Sequence, residues 1–320
     1  MVAIGVIFNP RANKARRGKL KPATLESILG RHGIVKITEN KEDSLRAALG
    51  EFLSNEIAII CSCGGDGTAH YVINEMLTLY ESKKAALPVF LALPAGTINN
   101  MARNSTVILS KLTPEKSLEL IVSAYGDVKR EAIGSNPLPL MALEHNNKVD
   151  QCLVWSAGAS TRFLERYYDP STGETSRLKA VGLVARSFCS YFVNGDLANQ
   201  LFTPIEGRLM IDWQEQHGSE IVLASSIPIK IMFYKPFDWL KGAGFGLYAV
   251  WGSFDRATIV SFVTRIPFGK PIAGSNVHVA RVSQIELAAE EPVSYTVDGE
   301  LSTARSMKLS KGKELRVVAL

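Results

Sequence analysis

The spacing of apolar residues along the chain changes once, near residue 128. Before that point, short apolar runs alternate with segments in which apolar residues recur every three or four positions. These are the patterns of buried strands and amphipathic helices. Their alternation predicts a parallel sheet with right-handed helical crossovers. Strands are predicted at 2–8, 34–38, 57–61 and 87–93.

Beyond residue 128 apolar and polar residues alternate, which is the period of strands with one buried face. We therefore expect an all-β second domain, a sandwich or flattened barrel, interrupted by one helical insert at about 176–192. The predicted fold class is α/β plus all-β. An N-terminal open parallel α/β domain over 1–128 is followed by a β-sandwich domain over 129–320, whose last strand is a candidate to pack back near the first domain.

Length and charge set loose bounds on function. A chain of 320 residues with 46% apolar content can build two domains, each with its own core. The net charge of +5 is too small to predict a nucleic-acid partner. It suits an acidic small molecule or an anionic membrane surface.

No signal peptide and no apolar run of roughly 18 residues is visible, so a cytosolic protein is expected. The sequence leaves a homodimer open. Its cysteines lack zinc spacing, and Cys61 and Cys63 are interpreted as small buried thiols at a strand end rather than as a redox pair.

A glycine-rich turn follows the third predicted strand, with the sequence Gly64, Gly65, Asp66, Gly67 and Thr68. Glycines let main-chain N–H groups approach a ligand, and a helix N-terminus at such a turn favours an anion. Thr68 is predicted to cap the helix. Asp66 would repel a bare phosphate, so it is interpreted as a magnesium ligand or a proton acceptor.

Two further loops are predicted at the same sheet edge. Gly96 and Thr97 follow the fourth strand, and Asn9 with Pro10 follows the first. Since α/β sheets bind ligands at the carboxyl ends of their strands, the three loops predict one anion site. The loop after Asn9 is also basic, and either a solvated charge cluster or phosphate binding explains it, although its position favours phosphate. Its basic residues are Arg11, Lys14, Arg16, Arg17, Lys19 and Lys21.

These motifs together resemble the diacylglycerol kinase catalytic-domain family of lipid kinases, which includes bacterial diacylglycerol kinases, sphingosine kinases and ceramide kinases. The resemblance rests on Asn9-Pro10, the turn 64–68, the run 94–99 (Pro-Ala-Gly-Thr-Ile-Asn) and a late Asp298-Gly299-Glu300. It spans nearly the whole chain. NAD kinases share the glycine-aspartate turn, but the Pro-Ala-Gly-Thr element favours the lipid branch.

The resemblance implies transfer of the ATP γ-phosphoryl group to a lipid hydroxyl with Mg²⁺. The first domain would bind the nucleotide and the second the lipid substrate. Asp298 or Asp66 would act as base or hold the metal, with Glu300 assisting, and Asp298 is the favoured base. The residues implied to hold the nucleotide are Asn9, Pro10, Arg11, Thr38, Gly64, Gly65, Gly67, Thr68, Gly96, Thr97 and Asn99.

At two positions the sequence departs from the family pattern. The family usually has glutamate where this chain has Tyr71, and often aspartate where it has Asn100. The local explanation for Tyr71 is the loss of a capping box with Thr68. The alternative is the loss of a carboxylate for magnesium or substrate, which would leave a catalytically degenerate nucleotide- or lipid-binding homologue. An NAD kinase-like enzyme with a soluble substrate is the other alternative.

A membrane-held substrate requires contact with a lipid surface. Aromatic residues crowd the stretch 233–254, and core packing accounts for most of them. The loop residues Phe237, Trp239 and Phe245 are predicted to be harder to bury, and beside Lys235 and Lys241 they suit a membrane interface. The apolar residues of the helix at 176–192 are a second candidate, as a wall for an acyl chain.

Overall fold

A computed structural model describes residues 3–39, 42–96, 99–105, 109–169, 177–230, 234–240, 246–272, 274 and 276–319. The chain forms two compact units, one of Met1–Leu138 with Glu314–Leu320 and one of Pro139–Lys313. The apolar spacing changes ahead of this division, at about residue 128. Ile133 lies between the two points and packs in the core of the first unit.

The first unit contains a parallel sheet in which the strand order is β4–β3–β1–β2. All residues of β1, β3 and β4 are buried, which is why none of them shows a regular alternation of apolar and polar residues. The strand β2 lies at the edge and is only partly buried. The bounds of the strands are β1 (Ile4–Phe8), β2 (Gly33–Ile37), β3 (Ile59–Gly64) and β4 (Val89–Pro94).

Helices follow these strands as the predicted crossovers require. Phe52 packs against β1 from one helix, and Val72, Ile73 and Met76 line the buried side of the next. The helices are α1 (Asn13–Arg16), α2 (Pro22–Leu29), α3 (Glu42–Ser54), α4 (Asp66–Ser82), α5 (Asn100–Ser105) and α6 (Pro114–Tyr125), with single 3₁₀ turns at Gly30–His32, Leu109–Lys111 and Arg130–Ala132.

The last residues of the chain complete the first unit. Val317 lies beside Phe90 of β4 in a parallel pairing. The Ala319 N–H donates to the Gly134 carbonyl at 2.9 Å, and the Tyr125 hydroxyl donates to the Ala319 carbonyl at 2.5 Å. The C-terminal segment is therefore fixed by a strand, a loop and a helix of this unit.

The second unit is mainly antiparallel, with the strand order β12–β11–β10–β7–β13–β14. The hairpin β8–β9 pairs with β13, and β5 pairs with β6. The fold class predicted from the sequence is confirmed. The strands are β5 (Ser135–His145), β6 (Lys148–Cys152), β7 (Val154–Gly158), β8 (Arg208–Ile211), β9 (Gln214–Gln216), β10 (Ile221–Ser225), β11 (Leu247–Gly252), β12 (Val277–Val282), β13 (Ile285–Val297) and β14 (Glu300–Val318).

The expectation of one helical insert in this unit was wrong. The predicted helix is present, but the described part of this unit contains three more, because loops between the strands are long enough to fold locally. The helices are α7 (Ala159–Tyr168), α8 (Arg177–Phe192), α9 (Asp196–Leu201) and α10 (Arg256–Thr264), with a 3₁₀ turn at Ile266–Phe268. The alternating pattern also predicts a strand at 228–234, but residues 228–230 do not form one.

Gly5 allows α3 to pack closely on β1, which gives a test of this packing. A Cβ atom at Gly5 would lie 2.6 Å from the buried Phe52 ring. We expect Gly5→Ala to lower the free energy of unfolding by about 1–3 kcal/mol, because the ring must move within a packed core. Urea denaturation measures the change.

Gly50 in the middle of α3 is the matched control, since a Cβ atom there meets nothing within 4 Å. Gly50→Ala should raise stability by about 0.5–1 kcal/mol through helix propensity. Equal effects of the two substitutions would contradict the packing described for Gly5.

Candidate functional site

Four loops lie side by side at the carboxyl edge of the parallel sheet. Main-chain hydrogen bonds continue the strand pairing beyond the strands themselves. Asn9 N–H donates to the Cys63 carbonyl at 3.1 Å, Thr38 N–H to the Phe8 carbonyl at 3.0 Å, and Ala95 N–H to the Gly64 carbonyl at 3.0 Å. The loops after β1, β2, β3 and β4 are thus fixed relative to one another before any ligand is present.

The two glycine turns are in direct contact. A Cβ atom at Gly96 would lie 2.6 Å from the Gly65 Cα atom and 2.9 Å from the Asn99 Oδ1 atom. A side chain at position 96 would force the turns apart. Glycine is therefore required here by the approach of two main chains, which is the arrangement that exposes N–H groups to an anion.

Asn9 joins the first loop to the helix that follows the third strand. Its side-chain Nδ2 donates to the Thr68 Oγ1 atom at 2.8 Å, and its Oδ1 accepts from the Arg11 N–H at 2.9 Å. Asn9 and Thr68 are both buried. Because the hydrogen bond between Asn9 and Thr68 is buried, the pair stabilises the contact between the loop and α4.

The prediction that Thr68 caps α4 was wrong. The helix begins at Asp66, Gly65 holds the N-cap position in an extended conformation, and Thr68 is the third residue of the helix. Tyr71 is then the sixth residue and too far along for a capping box, so the local explanation for Tyr71 is also wrong. Its side chain is 41% exposed, and the alternative explanation, the loss of a carboxylate, stays a prediction.

Asp66 is the first residue of α4, and its side chain also binds the start of α5. Its Oδ1 atom accepts from the Met101 N–H at 2.7 Å, at the start of α5. Asp66 is therefore a cap for α5 that comes from a distant part of the chain. The sequence did not indicate this contact, because a main-chain donor such as Met101 N–H carries no signal in the residue type.

Asn99 shapes the second glycine turn from within. It has a left-handed main-chain conformation with φ of 57°. Its side chain accepts from the Gly96 N–H at 2.8 Å and donates to the Gly96 carbonyl at 3.0 Å. Asn99 thus closes the turn on itself. Thr97, another predicted nucleotide contact, lies outside the described residues.

Thr38 and Arg11 lie at the same edge with partners of their own. The buried Thr38 Oγ1 atom is 2.7 Å from the Ser44 Oγ atom, and Ser44 was not recognised from the sequence. Arg11 is exposed and pairs with Glu39 at 2.6 Å, next to the partly buried Pro10. Surface ion pairs of this kind contribute little to stability, so Arg11 remains available to a ligand.

Both thiols of β3 are buried, as predicted from the sequence. Burial and, to a smaller extent, the Glu115 carboxylate raise the pKa of the Cys63 thiol to about 12, against an opposing effect of the Lys14 ammonium. The Lys14 ammonium is therefore close enough to the carboxyl end of β3 to affect the pKa of Cys63. Lys14 N–H also donates to the Ala95 carbonyl at 3.1 Å, which connects the basic loop to the second glycine turn.

Asp298 and Glu300 belong to the second unit. Asp298 and Gly299 form the two-residue turn between β13 and β14, both with positive φ, as in a type I′ hairpin. The Asp298 Oδ1 atom accepts from the N–H groups of Leu153 at 3.0 Å and Val154 at 2.9 Å. The carboxylate is 6% exposed and held in one position. Glu300 opens β14 next to it.

Asp66 and Asp298 therefore lie in different units, and their joint role around a metal ion stays a prediction. Within the described residues no three His, Cys, Asp or Glu side chains could hold a metal ion by themselves. Magnesium in nucleotide sites uses one or two carboxylates and takes its other ligands from phosphates and water. A single carboxylate at contacting glycine turns fits that chemistry.

The loop aromatics divide into different environments. Phe237 is fully buried and packs with Leu223, Ile229 and Val250, so the expectation that it reaches a membrane was wrong. Trp239 is half-buried. Phe245 and Lys241 lie outside the described residues. The stretch around Phe237 thus contributes to the core of the second unit.

The first unit is similar to a known protein domain. Residues 3–129 match the model of the diacylglycerol kinase catalytic domain, and these residues include both glycine turns. This match confirms, for residues 3–129, the resemblance found in the sequence. No curated protein sequence is similar enough to this chain to be matched.

Solved structures from Bacillus anthracis strain Sterne share the fold over its whole length. One is described as a diacylglycerol kinase and shows 15% identity with a TM-score of 0.57. Another, described as a candidate diacylglycerol kinase, shows 14% identity with a TM-score of 0.59. Both comparisons cover 100% of this chain and 97% of the other. Identities this low establish the fold alone.

Among the helices that the structure describes, none combines the length and the apolar character needed to cross a bilayer.

The bond between Asn9 and Thr68 can be tested by removing its acceptor. Thr68→Val keeps the shape of the side chain but leaves the buried Asn9 amide without this acceptor, so we expect a loss of about 1–3 kcal/mol in the free energy of unfolding. Thr68→Ser keeps the hydroxyl and is the matched control. If valine and serine gave the same stability, the hydrogen bond would not be what fixes the loop to α4.

Proposed function

We propose that this protein is an ATP-dependent lipid kinase. It transfers the γ-phosphoryl group to a hydroxyl group of a membrane lipid, which is diacylglycerol, ceramide or a sphingoid base. It works in the cytoplasm, at the inner face of the membrane. The observation that carries the proposal is the contact between Gly65 and Gly96 at the carboxyl edge of the sheet, within residues that match a kinase domain.

The nucleotide phosphates would bind to the main chain of the two glycine turns. Gly64, Gly65 and Gly67 bring N–H groups to the start of α4, where the helix dipole favours negative charge. Asn9 and Thr68 keep the first loop in place through their hydrogen bond. Arg11 and Lys14, on the loop beside the turns, would supply positive charge to the outer phosphates.

The reaction needs a base and a fixed geometry. The lipid hydroxyl oxygen forms a bond to the γ-phosphorus as its proton passes to a carboxylate, and the bond from the γ-phosphorus to the bridging oxygen of ADP breaks. Asp298 is the proposed acceptor of the proton, with Glu300 assisting. Its Oδ1 atom is fixed by two N–H groups, so little conformational freedom is lost when it meets a substrate.

Asp66 would hold Mg²⁺, which neutralises phosphate charge when it is bound. One oxygen of Asp66 already accepts from Met101 N–H. The site can thus couple the position of α5 to the position of the metal ligand. Asp298 is the second proposed ligand.

Amide substitutions separate the chemical role of each aspartate from its structural role. An asparagine Oδ1 atom can still accept from Met101 N–H at position 66, or from Leu153 and Val154 N–H at position 298. We expect Asp298→Asn to lower kcat about 10²–10⁴-fold, the usual contribution of a general base. Asp66→Asn should lower kcat at least about 10²-fold through loss of the metal ligand. Neither should change thermal stability much, whereas Asp66→Ala should also loosen α5.

Asp212 supplies the matched control for Asp298. It sits in a positive-φ turn of the same unit, and its Oδ1 atom accepts from Ser283 N–H at 2.7 Å and Gln284 N–H at 3.0 Å. Asp212→Asn should leave turnover unchanged. Labelled ATP with diacylglycerol, ceramide and sphingosine in mixed micelles, and NAD as a soluble acceptor, provides the assay. Full activity of both Asp66→Asn and Asp298→Asn on an accepted lipid would show that the site is assigned wrongly.

Tyr71 favours a second candidate function, a nucleotide- or lipid-binding protein that has lost turnover. The residue is in the second turn of α4 and 41% exposed. Its position in the helix excludes the capping explanation. A carboxylate missing from this place would leave nucleotide binding intact and slow the chemistry.

Tyr71→Glu distinguishes the two candidates. If the missing carboxylate limits turnover, we expect this substitution to raise kcat about tenfold or more, with little change in ATP affinity. Tyr71→Gln has a similar shape without the charge and should not do so. Measurable lipid phosphorylation by the wild type, unchanged in Tyr71→Glu, would favour the active kinase over the degenerate homologue.

A further inference from the structure

The helix α8 of the second unit turns an apolar side toward solvent. Leu178 is 85% exposed, Val181 46% and Phe192 50%, and Val193 directly after the helix is 75% exposed. Positions 178, 181, 182, 185, 189 and 192 recur every three or four residues and are all exposed. At 3.6 residues per turn they form one continuous stripe along the helix. We call these six residues the α8 stripe.

The opposite side of α8 packs on the protein and is apolar too, with Leu183, Val184 and Phe188 half-buried. Ala180 and Ser187 are its buried residues, and the Ser187 hydroxyl donates to the Leu183 carbonyl at 2.7 Å. The Tyr191 hydroxyl donates to the Phe254 carbonyl at 2.8 Å. An ordinary surface helix buries its larger apolar residues and exposes polar ones. In α8 large apolar residues lie on the exposed side as well, namely Leu178, Val181 and Phe192.

The charge on α8 has one sign. The helix sequence contains Arg177, Lys179 and Arg186 and has no aspartate or glutamate. Arg186 is exposed beside the stripe, while the Lys179 ammonium lies over the Tyr167 ring at 5.6 Å. A basic helix with an exposed apolar stripe is typical of segments that lie in the interface of an anionic membrane. A second copy of the chain would instead bring an equally positive helix against it.

We propose that the α8 stripe is the surface by which this protein lies on an anionic lipid bilayer. The inference rests on the proposed function in one respect, since a lipid kinase must meet its substrate in a membrane. The apolar residues of the stripe enter the boundary between headgroups and acyl chains, and Arg186 stays at the level of the phosphates. The lipid class recognised is therefore any anionic phospholipid surface, independent of the lipid that is phosphorylated.

A native cysteine provides a probe of this contact. Cys189 is exposed on the stripe, whereas Cys61, Cys63 and Cys152 are buried, and burial raises the pKa of each of these three thiols. A polarity-sensitive fluorophore should therefore label Cys189 selectively. We expect its emission to shift to the blue when vesicles of phosphatidylglycerol and phosphatidylcholine are added, and much less with phosphatidylcholine alone.

Surface variants test whether the stripe supplies the affinity. Leu178→Ser and Phe192→Ser should each weaken sedimentation with anionic vesicles about tenfold, the loss expected for one large apolar side chain. Arg186→Gln should weaken it roughly fivefold and reduce the dependence on salt. Trp213→Ser is the matched control, since Trp213 is 70% exposed in the same unit but outside α8. It should bind vesicles as the wild type does.

Two results would overturn the proposal. One is a blue shift that depends on protein concentration without vesicles and is abolished by Phe192→Ser, because a second copy would then cover the stripe. The other is vesicle binding that Leu178→Ser and Phe192→Ser leave unchanged.

These measurements contain neither ATP nor an acceptor lipid, so they stand apart from the kinase assay. If no lipid is phosphorylated but vesicle binding depends on the stripe, the proposed function fails and this inference holds. If the stripe variants bind vesicles normally while the wild type phosphorylates lipid, the inference fails and the proposed function holds. With both correct, Phe192→Ser should lose turnover on vesicle-borne lipid and keep it on a monomeric short-chain lipid.

Discussion

The approach of two main chains at Gly65 and Gly96 is the constraint on which the candidate site depends. No side chain fits between them, so the loops after β3 and β4 must take up their positions together. The hydrogen bond from Ala95 N–H to the Gly64 carbonyl fixes the same contact from the side of the sheet. Lys14 N–H reaches the Ala95 carbonyl from the first loop. The proposed anion site would consequently be a property of the backbone, built by the parallel pairing of buried strands.

Most of the first unit was predictable because its strands are buried on both faces. Such strands appear in sequence as uninterrupted apolar runs, and β1, β3 and β4 were found in this way. The sequence analysis placed the start of α4 too late, because no residue type marks the first helical residue after a glycine turn. Asp66 begins the helix in the structure. The helices missed in the second unit lie between strands whose alternating pattern dominated the interpretation.

The residues of the candidate site were recognisable as a set, whereas their contacts were not. Asn9 and Thr68 were both named from the sequence, but their mutual hydrogen bond depends on a fold that brings distant segments together. Met101 and Ser44 were missed since one acts through its N–H group and the other through a common surface residue type. Phe237 shows the reverse error, because an aromatic residue in a loop sequence can still fill a core.

The position of Val317 beside Phe90 has a consequence for synthesis on the ribosome. The strands β1 to β4 emerge early, yet the unit that contains them takes its remaining strand from Glu314–Leu320. Translation must therefore pass through the whole of Pro139–Lys313 before the first unit can close. During that interval the β4 edge has unpaired main-chain groups, a condition that favours mispairing with other chains. The exposed edge of β4 is therefore the place where the order of synthesis and the order of the strands conflict.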